Sequence, residues 1–204
     1  YDIEDYYSID SRYGTMEDLE LLISEAKKRN IYLMFDMVFN HTSTYHEWFQ
    51  KALSGDQKYK DYYFFKKGKD GNPPTNWESK FGGNAWKYVE EFDEYYLHLF
   101  DETQADLNWK NPEVRKEMAN IINFWIEKGI KGFRFDVINL IDKESFEDDF
   151  EGVGKRFYTD RPLVHTYLRE LAQNSFGQYD DIITVGEMSA TSIENCIGYT
   201  NPEH

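Results

Sequence analysis

Cysteine is nearly absent. The single Cys196 excludes an internal disulfide framework and a cysteine-rich zinc site, and it fits a reducing compartment. Nor do the five histidines contain an HxxxH pair of the kind that holds zinc on one helix face. No apolar run reaches the roughly 18 residues that cross a bilayer. The nearest, residues 31–39, carries Asp36 in its middle. Basic charge is also short, with 23 Lys and Arg against 38 Asp and Glu for a net charge of −15. Such a chain repels nucleic acid and anionic membrane surfaces, so neither is expected as a partner. An initiator methionine is missing too, since the sequence begins at Tyr1, and the lack of a signal peptide therefore carries no information.

What is present is a globular composition, 30% charged and 40% hydrophobic, with 18% aromatic residues. That aromatic load suits either a ring-rich core or flat apolar faces on which sugars stack. Thr15 followed by Glu17 and Asp18 marks a helix start, and Leu19, Leu22, Ile23 and Ala26 recur at helical spacing behind it. Residues 31–38 read as a buried strand, followed by a polar break at 40–44 and a short helix around 46–53. From 54 to 101 Lys, Gly, Pro and Asn mix with aromatics without a helical period, and 95–100 forms a plausible strand. A structureless loop of that length is unusual, so the stretch is expected to be an inserted subdomain. Asn111-Pro112 then opens a helix that ends near Gly129. Residues 130–138 and 182–188 are the next strands, with helices expected over 162–176 and from about 191. Strands alternating with helices imply an α/β fold with a parallel sheet. A closed eight-stranded barrel of this kind needs about 250 residues, so the chain corresponds to about half of one once the insertion is counted.

The polar residues cluster at strand ends. On the strand around Gly132–Asp136, Phe133, Phe135 and Val137 are expected on one face, with Arg134 and Asp136 on the other. Asp36 lies on the first strand with Asn40 and His41 just beyond it, and Glu187 ends the third. C-terminal strand ends build the active sites of α/β barrels and open α/β sheets. Two carboxylates converging there suit glycoside hydrolysis, one attacking and the other donating a proton. On this reading Arg134 favours ionised Asp136, and Glu187, away from that cation, has its pKa raised by desolvation. A structural ion pair or a metal site are the competing uses of these groups, and Arg134 among the acids opposes a divalent cation.

Three motifs in order, residues 36–41 (DMVFNH), 132–136 (GFRFD) and 185–187 (VGE), resemble conserved regions of the α-amylase superfamily, glycoside hydrolase family thirteen. Residues 1–3 with 13–16, 81–86 (FGGNAW) and 95–100 with 106–109 (DLNW) resemble its oligo-α-glucosidase branch. The resemblance implies a retaining (β/α)8 TIM barrel, of which this α/β chain covers about strands 3 to 5. The division implied is barrel over 1–43, an inserted subdomain over 44–105 after the third strand, and barrel again over 106–204. Asp136 would be the nucleophile and Glu187 the general acid/base, with Arg134 positioning the nucleophile. Asp36 and His41 would contact the sugar, Tyr1 would stack on it, and Phe81 and Phe100 would line the pocket. Val137 resembles the branch that cleaves α-1,6 or trehalose-phosphate bonds.

Residues 148–165 and 185–203 are most similar to the phospho-α-glucosidases that hydrolyse trehalose 6-phosphate, which makes Lys155 and Arg156 candidate phosphate contacts; a solvated loop pair is the alternative. Val153, Lys155 and Arg161 depart from the usual pattern there. The implied activity is release of glucose and glucose 6-phosphate in carbohydrate catabolism. The alternatives are an oligo-1,6-glucosidase or dextran glucosidase, a sucrose-isomerising or transferring relative, and a non-catalytic transporter subunit. No catalytic cofactor is implied, and a structural calcium site, where relatives carry one, would precede Tyr1. The superfamily's His-Asp pair would lie beyond His204, so the 204-residue chain alone is expected to be inactive.

Overall fold

The computed structural model describes residues 1–200. In chain order the elements are α1 (Met16–Lys27), β1 (Met34–Met37), β2 (His41–Ser43), α2 (Glu47–Leu53), α3 (Gln57–Lys60), β3 (Phe65–Lys66), β4 (Trp86–Val89) and β5 (Glu94–Leu97). There follow β6 (Gln104–Asp106), α4 (Pro112–Lys128), β7 (Gly132–Phe135), α5 (Leu163–Gln173), β8 (Ile183–Gly186) and α6 (Ile193–Tyr199).

Local chemistry sets the helix ends. Thr15 and Asp18 cap each other reciprocally, the Asp18 amide donating to Thr15 Oγ1 at 3.2 Å and the Thr15 amide to Asp18 Oδ2 at 2.9 Å. Asn111 caps α4, Pro112 occupies its first position, and Gly129 ends it in the left-handed conformation at φ 106°. Within the described residues α1 buries only part of its apolar stripe. Leu19, Ile23 and Ala26 pack inward, while Leu22 is 54% exposed.

β1, β7 and β8 form one parallel sheet in that order, with Asp36 opposite Arg134 and Arg134 opposite Val185. Each strand is four residues long, shorter than the hydrophobic runs suggest. Residues 31 and 32 precede the ladder because Asn30, at φ 56°, is still turning the chain, and the Ile31 amide bonds back to the Ala26 carbonyl. Val137 does not continue β7 either. It lies in the left-handed region at φ 39° and starts a helical turn, so it leaves the face shared by Phe133 and Phe135.

β2 and β6 pair antiparallel, and the Thr44 amide donates to the Thr103 carbonyl at 2.8 Å. Between these two residues the chain runs out through α2 and α3 to the antiparallel sheet β3-β5-β4 and back. Its rings do not form a separate core. Phe49, Tyr62, Tyr63 and Tyr96 belong to the same buried cluster as Phe39, Trp109 and the apolar face of α4. A second cluster joins Trp77, Trp86 and Leu97 to Leu140 and Tyr158 on the loop after β7. That loop is pinned to α6 by Asp160, whose carboxylate accepts from Asn139, Thr191, Asn195 and the Tyr199 hydroxyl.

His46 caps α2, its Nδ1 accepting the Trp48 amide at 3.0 Å, so the ring must be neutral at that nitrogen. Burial pushes its pKa from 6.5 down to about 4, against the pull of Asp5 and Glu47. The unfolded chain therefore binds a proton that the folded one refuses, and this contribution is lost as pH falls from about 6.5 toward 4. In the full-length protein, His46→Asn keeps a cap without a titrating ring. The drop in melting temperature between pH 7 and pH 5 should be smaller in this variant than in the parent, and an equal drop would remove His46 from the account.

Candidate active site

The ends of β1, β7 and β8 bring Asp36, Asp136 and Glu187 around one guanidinium. Arg134 Nη1 donates to both Asp36 carboxylate oxygens at 2.7 Å and to Asp136 Oδ1 at 3.1 Å. Its Nη2 lies 3.8 Å from Glu187 Oε2. The ladder extends one residue past each strand, with the Asp136 amide on the Met37 carbonyl at 3.0 Å and the Glu187 amide on the Phe135 carbonyl at 2.8 Å. Asp136 and Glu187 are therefore neighbours on adjacent parallel strands. The turn at Val137 aims its amide at Glu187 Oε2, 2.9 Å away. A β-branched residue at positive φ is strained, and the strain falls where that amide meets the carboxylate.

Two electrostatic expectations change. Glu187 is not away from the cation, because it shares Arg134 with the two aspartates. The Asp136 carboxyl has its pKa raised above 3.8, since burial outweighs the opposing pull of Arg134, and the charges of Asp36 and Glu187 add to burial. Arg134 gives its shorter bonds to Asp36, which stands opposite it in register. Its own pKa is raised, chiefly by that hydrogen-bonded partner.

His41 is buried, and its orientation follows from a network behind it. Lys143 and Asp106 form an ion pair at 2.8 Å with both side chains fully buried. Lys143 Nζ also donates to Asn40 Oδ1 at 2.7 Å, which turns the Asn40 amide nitrogen toward Asp106 Oδ2 and His41 Nδ1, each at 3.1 Å. With Nδ1 accepting, the neutral ring carries its hydrogen on Nε2, the nitrogen that has no partner among the described residues. Burial pushes the His41 pKa down to about 4, so the ring is a neutral donor at pH 7.

A cavity of about 260 Å³ opens on these groups, lined by His41, Arg134, Asp136, Val137 and Glu187 together with the rings of Tyr1, Phe81 and Phe100. Phe100 packs on His41 with 5.3 Å between ring centroids and on Phe81 at 5.7 Å. Tyr1 and Phe81 are 66% and 69% exposed, so the aromatic load supplies both the core and open ring faces at the cavity. Asp36 lies outside the lining, held by Arg134. Lys155 and Arg156 also lie outside it, on the loop after β7. Gln104 lines the cavity without having been singled out in the sequence. It donates to Asp2 Oδ1 at 2.6 Å, and its only signal was its place two residues before Asp106.

The α-amylase catalytic-domain family matches residues 1–204, and the chain belongs to that family. Within it, the chain is 56% identical to the trehalose-6-phosphate hydrolase of Bacillus subtilis (strain 168), over all of this chain and 37% of that protein. It is 47% identical to an oligo-1,6-glucosidase of Bacillus cereus, over all of this chain and 38% of that protein. The crystal structure of Bacillus licheniformis trehalose-6-phosphate hydrolase superposes with a TM-score of 0.97 at 58% identity, covering all of this chain and 37% of that one. The α/β sheet described above is thus a portion of the barrel of this family. The chain spans a little over a third of the length of the relatives it matches.

Removing one partner of a fully buried ion pair leaves an uncompensated charge and costs about 3–5 kcal/mol. Asp106→Asn in the full-length protein should lower the unfolding free energy by that order in urea denaturation. A loss under about 1 kcal/mol would mean that Lys143 finds another partner.

Proposed function

We propose that the whole protein hydrolyses α,α-trehalose 6-phosphate to glucose and glucose 6-phosphate by double displacement with retention. The observation that carries the reading is the convergence of Asp136 and Glu187 at adjacent strand ends, with Glu187 Oε2 on the Val137 amide, beside a ring-lined cavity. Adjacent strands stand about 4.7–4.9 Å apart, which suits the separation of about 5–5.5 Å between the carboxyls of retaining enzymes.

Asp136 attacks the anomeric carbon while Glu187 protonates the departing glycosidic oxygen, leaving a glycosyl ester on Asp136. Glu187, now ionised, takes a proton from water, which opens the ester and restores the free carboxylate. Arg134 holds the Asp136 carboxylate in place. His41 donates its Nε2 hydrogen to a hydroxyl of the glycosyl ring, and Tyr1, Phe81 and Phe100 offer apolar faces to that ring. Similarity to the Bacillus subtilis and Bacillus licheniformis trehalose-6-phosphate hydrolases supports a phosphorylated substrate. A sugar phosphate does not cross a bilayer unaided, so a cytoplasmic site of action goes with the reading. No described helix is long and apolar enough to cross a membrane.

Similarity to the Bacillus cereus oligo-1,6-glucosidase supports a second reading with the same carboxylates and an unphosphorylated α-1,6 substrate. Competing the two substrates on the full-length protein separates them. A higher kcat/KM for trehalose 6-phosphate is expected, and preference for isomaltose would select the second reading. Asp136→Asn should lower kcat by at least about 10⁴-fold, as loss of a nucleophile does. Because the Asp136 pKa is raised, protonation silences the nucleophile at a pH above the ordinary 3.8. The acid limb of kcat/KM in the parent should therefore have its midpoint above that value, and a midpoint below it would refute the burial argument.

A further inference from the structure

Of the basic pair on the loop after β7, the arginine is already engaged. Arg156 Nη2 lies 3.3 Å from Asp149 and Nη1 3.6 Å from Glu151, and its guanidinium lies 4.9 Å from the centroid of the Phe157 ring. Lys155 is exposed and meets no carboxylate among the described residues. Gly154 fixes where it stands. At φ 93° that residue lies so close to the indole of Trp77 that an added Cβ would come within 2.4 Å of it.

Lys80 reaches the same turn from the segment between β3 and β4. It precedes Phe81, a lining residue, and its amide donates to the Leu99 carbonyl at 2.8 Å. Its Nζ lies 5.6 Å from the centroid of the Tyr158 ring, and the Tyr158 amide bonds back to the Lys155 carbonyl at 3.3 Å. Lys80 is half-buried, and it too has no carboxylate partner among the described residues. Burial and the charge of Lys155 both push the Lys80 pKa down, against Asp106 and Glu187. Both lysines adjoin Tyr158, Lys80 is partly dehydrated and neither has a carboxylate partner among the described residues, an arrangement that is costly in any protein. It is less expected still in a chain with 38 carboxylates to offer. An arriving anion removes that cost through charge-assisted hydrogen bonds. Phe81, the residue after Lys80, lines the cavity that Glu187, the proposed acid for the leaving group, also lines.

We infer that Lys80 and Lys155 bind the phosphate monoester carried by the leaving sugar, at the mouth of the Asp136–Glu187 cavity. This rests on the hydrolase reading above and names the groups that select its substrate. The test uses the full-length protein and the ratio of kcat/KM for trehalose 6-phosphate to that for 4-nitrophenyl α-glucoside, which has no phosphate. Lys80→Met and Lys155→Met should each lower the ratio by about 10- to 100-fold, the size of a charge-assisted contact, mainly through KM for the phosphorylated substrate. Inorganic phosphate should compete more weakly in both variants. Lys155 is exposed, so its replacement tests the inference even if Lys80→Met folds poorly. A parent that hydrolyses trehalose 6-phosphate, with a ratio in Lys155→Met within threefold of the parent value, overturns the pair alone. A parent inactive on trehalose 6-phosphate overturns the hydrolase reading and the pair with it.

Discussion

The dehydrated ion pair between Asp106 and Lys143 is the constraint on which the geometry around the cavity depends. Asp106 ends β6, at the neck through which the chain returns from the β3-β5-β4 sheet, and Lys143 belongs to the loop after β7. Besides Lys143, Asp106 accepts the Leu99 amide at 2.8 Å and the Asn40 side chain. A pair of this kind contributes little net stability over a well-packed apolar substitute. Its effect is positional, because any displacement of one partner strands a charge in a medium that cannot solvate it. The neck, the loop and the turn after β1 are thereby held in one register, and His41 inherits its orientation from them.

Arg134 plays a different part at the mouth of the same sheet. One guanidinium faces three carboxylates, and strand register decides how it is shared. Asp36 stands directly across the ladder and takes the shortest contacts, Asp136 takes one longer bond, and Glu187 only the far edge. The cation therefore orients Asp136 more than it acidifies it, and burial sets the direction of the shift. Position and proton affinity are separable properties of one contact, and here they diverge.

Much of this was readable from local sequence. Thr15 with Asp18 and Asn111-Pro112 with Gly129 name helix ends through short-range hydrogen bonds. The apolar runs before Asp36, Asp136 and Glu187 name three parallel strands and put the acids at their ends. Features set by distant partners were not readable. The helical period of α1 marks Leu22 as apolar, but it does not name the partner, and none of the described elements buries it. Alternation carries Val137 along with Phe133 and Phe135, whereas the turn toward Glu187 requires the neighbouring strand. Lys80 sits unremarked in a Lys-rich stretch, and only the fold brings it beside Lys155.

The amide of Val137 has one more consequence. It holds Glu187 by Oε2, the same atom that faces the edge of Arg134, so the two oxygens of that carboxyl are no longer equivalent. Negative charge is best accommodated on the clasped atom, and a hydrogen is best carried by Oε1. In the proposed hydrolysis, a backbone group would thus fix from which lone pair, and along which line, Glu187 passes its proton.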